Sequence, residues 1–162
     1  MIEPIQNPTE EELARWHRTF APKAFNYTWS LLDLNELTRE QEEEMLAATM
    51  AQRHHWYQIG TARNRAIADW QVSRVLAVIG YEELSRRFGE RSLAVAIDNE
   101  LDAFVVGFAY EAIARAAASV DDVATFEESL SAARAQMEKI EDEDDRAVLK
   151  ADLDQFDSVD HQ

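Results

Sequence analysis

Trp70-Gln71-Val72-Ser73-Arg74 has two echoes in the chain, Trp29-Ser30-Leu31-Leu32-Asp33 before it and Glu111-Ala112-Ile113-Ala114-Arg115 after it. Each string keeps an aliphatic residue at its third position and a large or charged residue at both ends. Trp29, Trp70 and Glu111 stand 41 residues apart, and so do Asp33, Arg74 and Arg115. A fixed period of roughly 20 to 50 residues marks repeat architectures, in which each unit is one supersecondary element. At about 40 residues the natural unit is a pair of antiparallel helices.

Working outward, helix signals are dense. Pro8-Thr9-Glu10-Glu11-Glu12 places a cap and first-turn carboxylates before Leu13, Trp16 and Phe20. Pro22 is expected to open a second helix through Phe25, Trp29 and Leu32, because proline suits a first turn. Thr38-Arg39-Glu40-Gln41 is a capping box that starts a helix ending at Gly60. Further helices are expected over 62–79, ending at Gly80, and over 81–98, where Glu82/Arg86 and Glu83/Arg87 are expected to make i,i+4 pairs on the solvent side. Residues 101–118 form the least polar helix, and Asp121-Asp122 caps one reaching about Ile140. A last helix, about Glu143 to Phe156, sets Val148, Leu149, Leu153 and Phe156 against a strongly acidic side. That pattern suits a capping helix. No convincing strand is present, so the fold class is all-α: three helix hairpins, 22–34 with 39–59, 62–79 with 81–98 and 101–118 with 121–140, plus the C-terminal helix. One domain spans 1–157, followed by a frayed acidic tail at 158–162.

Composition bounds the function. At 162 residues with 46% hydrophobic side chains, the chain can bury a core. Four Gly and three Pro favour long helices over a many-turned β fold. No apolar run approaches the roughly 20 residues that span a bilayer, and Met1-Ile2-Glu3-Pro4 lacks the start of a signal peptide. Without cysteine there is no disulfide, thiolate metal site or cysteine nucleophile, and the cytoplasm is the default compartment. The formal charge is −16. Such a field opposes sequence-independent nucleic-acid binding, and basic partners or solubility account better for the acidic C-terminal end.

The unit from Ile67 through the turn at Gly80 resembles the tetratricopeptide-repeat family. Ser73, Ser85 and Ser92 take the family's three small positions, and Val72, Leu76 and Leu93 its apolar ones. It departs from the pattern at Gly89, where a large aromatic is usual, and at Val120-Asp121, where Gly-Asp is usual. Asn64-Arg65-Ala66, Trp70 to Val75 and Phe108-Ala109-Tyr110-Glu111-Ala112 are similar to a group of small uncharacterised bacterial proteins. The resemblance implies a right-handed α-α superhelix whose first helices line a groove for a peptide or protein partner. Carried over, the groove positions are Trp29, Asp33, Asn64, Ile67, Trp70, Arg74, Phe108, Glu111 and Arg115. Two arginines beside tryptophan walls would suit a carboxylate-bearing peptide. The competing expectation is that Trp70 belongs to the core, with Asp33, Arg74, Glu111 and Arg115 forming an internal ladder.

His54-His55-Trp56-Tyr57 is the most reactive-looking string. Adjacent histidines on a helix point about 100 degrees apart, so they are not expected to chelate one ion together. One of them could join His17 or a carboxylate of another helix. The Glu-x-x-His pairs of di-metal bundles are absent, as are His-Glu-x-x-His, Gly-x-Ser-x-Gly and a glycine-rich phosphate loop. The expectation is therefore a binding module with no catalytic residues, cofactor or metal. The alternative is a small-ligand or metal-binding bundle using His54 and His55. A third reading is self-association as a homodimer through apolar end faces.

Overall fold

A computed structural model describes residues 7–157. Within them lie seven helices and no strand: α1 Glu10–Leu32, α2 Arg39–Ile59, α3 Ala62–Val78, α4 Glu82–Asp98, α5 Ala103–Ala118, α6 Val123–Met137 and α7 Glu143–Asp157. The all-α expectation holds. The N-terminal residues 1–6 and the tail at 158–162 lie outside the described residues, together with what was expected of them.

Short polar links and side-chain caps set most helix starts. The Thr9, Thr38 and Thr61 hydroxyls each accept an amide hydrogen bond three residues on, and Glu12, Gln41 and Asn64 reach back to the cap amides. Asp102 accepts from the Phe104 and Val105 amides, and Asp122 from that of Thr125. Asn64, expected in the groove, is thus occupied with Thr61 at the start of α3.

One expectation is corrected at the first turn of the first hairpin. Pro22 does not open a new helix; it lies inside α1, which runs unbroken from Glu10 to Leu32. A proline within a helix removes the hydrogen bond to the carbonyl four residues back. Here that residue is Arg18, exposed to water. A second correction concerns α4: among the described residues neither Glu82/Arg86 nor Glu83/Arg87 forms the expected ion pair. The Arg86 guanidinium turns away from Glu82 to Glu90 and Asp122, each at 3.0 Å, so it ties α4 to the start of α6.

The helices pack in sequence order: α1 on α2, α3 on α4 and α5 on α6, with α2 against α3 and α4 against α5. In addition α3 touches α5, and α7 lies on α5 and α6. Small residues allow the close contacts. The Ser73 and Ser85 hydroxyls donate to each other's carbonyls at 2.7 and 2.8 Å, joining α3 to α4, and Ser92 donates to the Ala66 carbonyl at 2.8 Å. A β-carbon on Gly89 would sit 3.3 Å from Ile113, which explains glycine where an aromatic was expected. The seam of α1, α2 and α3 joins an apolar cluster of Leu31, Met45 and Val75 to buried polar contacts: Thr49 donates to Gln71, and Gln71 donates in turn to the Phe25 carbonyl. Thr49 and Gln71 are buried with these partners, which favours one register over many.

Candidate functional site

The helices α1, α3 and α5 carry the three echo strings, and a cavity of about 530 Å³ opens beside them. Its wall is largely aromatic: Phe25 and Trp29 from α1, Trp70 from α3, Phe104 and Phe108 from α5. These rings form a continuous ladder. Trp29 lies 5.6 Å from Trp70, Trp70 5.1 Å from Phe108 and Phe108 4.9 Å from Phe104, centre to centre. Tilted and edge-on rings at such distances are mutually attractive and hold their shape without a ligand. The charged lining comes from Asp33, Arg74 and, on α7, Asp152.

The floor behind Trp70 is a buried ion network. Glu111 is fully inaccessible to water. Its carboxylate accepts from the Trp70 indole N–H at 3.1 Å and from Arg115 Nε at 2.7 Å, and Arg74 approaches to 3.6 Å. Arg74 also donates to Asp152 at 3.2 Å. Arg115 stacks its guanidinium over Phe156. A buried charge is tolerable only when paired and hydrogen-bonded, and Glu111 is both.

The sequence-derived residues therefore divide. Trp29, Asp33, Ile67, Trp70, Arg74 and Phe108 line the cavity. Glu111 and Arg115 lie behind it as an internal ladder with Arg74, which Asp33 does not join. Trp70 is both core and wall: it is buried, yet it faces the cavity. Both arginines are engaged by carboxylates, so neither is free to meet a carboxylate ligand.

The histidines gather at a separate place. His17, in the first half of α1, lies beside His54 and His55 near the end of α2. Their nearest ligand atoms are all within 4.8 Å of one another. The Nδ1 atoms of His17 and His55 share a hydrogen bond of 2.8 Å. Burial, and then the nearby His17 and His54, hold the His55 imidazole below the usual histidine range. His54 and His55, adjacent on α2 and about 100 degrees apart around it, nevertheless lie close at their rings. Their ring centres are 5.5 Å apart, and each offers a ligand atom within 4.8 Å of the other and of His17.

Compared with family models, curated proteins and solved structures, the chain matches none.

Sequence reasoning missed the contribution of α7 to the cavity. The sequence places Val148 on the apolar side of a helix that caps the stack and gives no sign that Asp152, on the same helix, reaches the cavity. Their spacing of four places both on one face, and that face borders the apolar stripe of Leu149 and Leu153. Phe25 carried a signal too, lying four residues before Trp29 on α1.

Proposed function

We propose that the chain is a tetratricopeptide-like helical-repeat module that binds a peptide or protein segment. In this reading three hairpins follow a right-handed α-α superhelix and α7 caps it. The order of helix packing supports that path, as does the placing of the three echo strings on the first helices of their pairs. The observation that carries the binding reading is the aromatic-walled cavity. Concave apolar pockets with a few convergent polar groups are the usual form of a binding site.

The ligand class follows from charge. Arg74 is already balanced by Asp152 and Glu111, whereas Asp33 is exposed on the rim. The lining thus favours an apolar or aromatic side chain flanked by a basic residue. The overall charge of −16 draws such a segment in. The module has no catalytic role in this reading.

The test is selection from a random displayed-peptide library. Enriched peptides should carry an aromatic residue next to Lys or Arg, and they should shift the fluorescence of Trp29 and Trp70 on binding. Val148→Trp, at a half-exposed position on the cavity lip, should abolish both signals while leaving the helical spectrum unchanged. Enrichment of nothing above a protein-free control, or equal binding by Val148→Trp, would overturn the reading. A second reading, as a metal-binding helical protein, is favoured by the convergence of His17, His54 and His55.

A further inference from the structure

We propose that His17, His54 and His55 form a site for one divalent transition-metal ion of the zinc type, with its fourth coordination position open to solvent. The inference is independent of the peptide cavity, which none of these residues lines.

Geometry carries it. Zinc–imidazole bonds of about 2.0–2.1 Å in a tetrahedral arrangement set neighbouring ring centres about 5 Å apart. The observed separations are 5.0 Å for His17–His55, 5.5 Å for His54–His55 and 5.7 Å for His17–His54. The three rings are also splayed, at interplanar angles of 52°, 69° and 62°. Rings arranged around a common centre are inclined in this way, whereas a stack would bring them near parallel. Two helices supply the donors, so the arrangement depends on the packing of α1 against α2.

Entry of an ion calls for side-chain adjustment in both directions. The His17–His55 pair sits at 2.8 Å between Nδ1 atoms, and two ligand atoms on a tetrahedral zinc stand about 3.4 Å apart. That pair widens by about 0.6 Å, while the most separated ligand atoms of the three, up to 4.8 Å apart, close by about 1.4 Å through side-chain rotation. One Nδ1 in the pair carries the shared proton. On binding, that imidazole takes the tautomer with its proton on Nε2, so both rings remain neutral ligands and no net charge is lost. His54 is exposed and His17 and His55 are half-buried, which leaves the remaining position open to water.

The donor set selects the ion. Imidazole nitrogens suit zinc, copper and nickel, whereas magnesium and calcium require oxygen ligands. The ion would bridge the start of α1 to the end of α2, far along the hairpin from the link between them. Binding to the folded state alone then raises the unfolding temperature.

The experiment is titration of the metal-free full chain with zinc chloride against a chromogenic chelator, followed by cobalt substitution. Expected are one zinc per chain, the strong visible bands of tetrahedral cobalt, a higher unfolding temperature with zinc, and no competition from magnesium or calcium. Single His17→Ala, His54→Ala and His55→Ala variants should each weaken zinc binding at least tenfold. Should an alanine variant lose its helical spectrum, His17→Gln and His55→Gln retain volume and polarity and must show the same weakening. Val148→Trp should bind zinc as the natural chain does, which separates this inference from the peptide reading. Absence of saturable one-to-one binding, or undiminished binding by the variant lacking all three histidines, would overturn the site.

Discussion

Trp70 donates its indole N–H to Glu111 across 41 residues of chain, at 3.1 Å. The two echo positions are therefore in direct contact. The same carboxylate carries Arg115 and faces Arg74, so one buried charge joins α3, α5 and, through Asp152, α7. Removing a single partner from a buried pair leaves the others desolvated and uncompensated, at about 3–5 kcal/mol. Glu111→Ala should lose roughly that amount in urea unfolding. Glu111→Gln keeps a carbonyl oxygen for the Trp70 indole and should lose measurably less. Equal losses for the two variants would show that packing, not pairing, explains the site.

Among the described residues, three links turn through a left-handed residue, and one of the three is glycine. Gly80 has φ 81°, Glu100 50° and Asp121 56°. At Glu100 the turn is closed by the Leu101 amide bonding the Ala96 carbonyl at 2.9 Å and the Glu100 amide bonding that of Ile97 at 3.1 Å. Side chains with a β-carbon are strained in this region, by about 1–2 kcal/mol, and glycine is not, although glycine costs more chain entropy. Glu100→Gly should therefore stabilise the protein by about 0.5–1 kcal/mol, and Gly80→Ala should destabilise it by about 1 kcal/mol. Asp121→Gly should gain less than Glu100→Gly, because aspartate tolerates the left-handed region better. Thermal unfolding of the three variants checks both the signs and the order.

Much of this frame is legible in the chain because it is local chemistry. Gly80 and Asp121 are themselves 41 residues apart, so the period that links Trp70 to Glu111 also links two turns of equal geometry. Thr38 with Gln41 and Asp122 with Thr125 announce helix starts within four residues. What lies beyond local reach is partner choice. Arg86 had Glu82 at pairing distance in sequence but takes Glu90 instead, together with Asp122 at the cap of α6. His17 and His55 are 38 residues apart, and no spacing rule relates them; only the packing of α1 against α2 does. Pro22 misled for a related reason. Its first-turn preference is a local rule, overridden where flanking residues on both sides already favour one helix.

Stability should depend on pH through Tyr57 and Asp69. Asp69 is wholly buried, accepts from Tyr57 and pairs with Arg53 at 2.5 Å. Burial, then the bond to Asp69, raises the Tyr57 phenol above its ordinary 10.0. Burial also raises the Asp69 carboxyl above 3.8, against the opposing pull of Tyr57 and Arg53. A folded-state value raised above the unfolded one means that the native state holds the proton more tightly. The Tyr57 contribution is thus complete below pH 10.0 and is lost as pH rises through the raised folded value. For Asp69 the contribution is complete below pH 3.8 and fades as pH climbs through its own raised value. Urea midpoints should fall less steeply with alkali in Tyr57→Phe than in the natural chain. Asp69→Asn should remove the gain on acidification. A constant offset between Tyr57→Phe and the natural chain throughout the alkaline range would contradict the assignment.

Asp152 decides what the cavity accepts. It lies at the lining of the cavity and holds Arg74 at 3.2 Å, with only 18% of its side chain exposed and 17% of that of Arg74. While the pair stands, the guanidinium is spent within the protein, and a ligand carboxylate would have to displace Asp152 to reach it. Asp152→Ala removes that competitor and leaves Arg74 with the weaker approach to Glu111 at 3.6 Å. Guanidinium binds carboxylate through paired, charge-assisted hydrogen bonds, and a partly buried fork left unfilled will take one from outside. Library selection on Asp152→Ala should therefore shift from peptides with a basic residue beside the aromatic toward peptides with an acidic residue or a free C-terminus there. The preferred peptides should bind Asp152→Ala about tenfold more tightly than the natural chain, which corresponds to about 1.4 kcal/mol. Arg74→Met in the same background should cancel the gain, because the apolar wall remains while the cation is gone. If selection on Asp152→Ala returned the same basic peptides, Arg74 would be excluded as a determinant of specificity, and the charge preference would have to come from Asp33 alone.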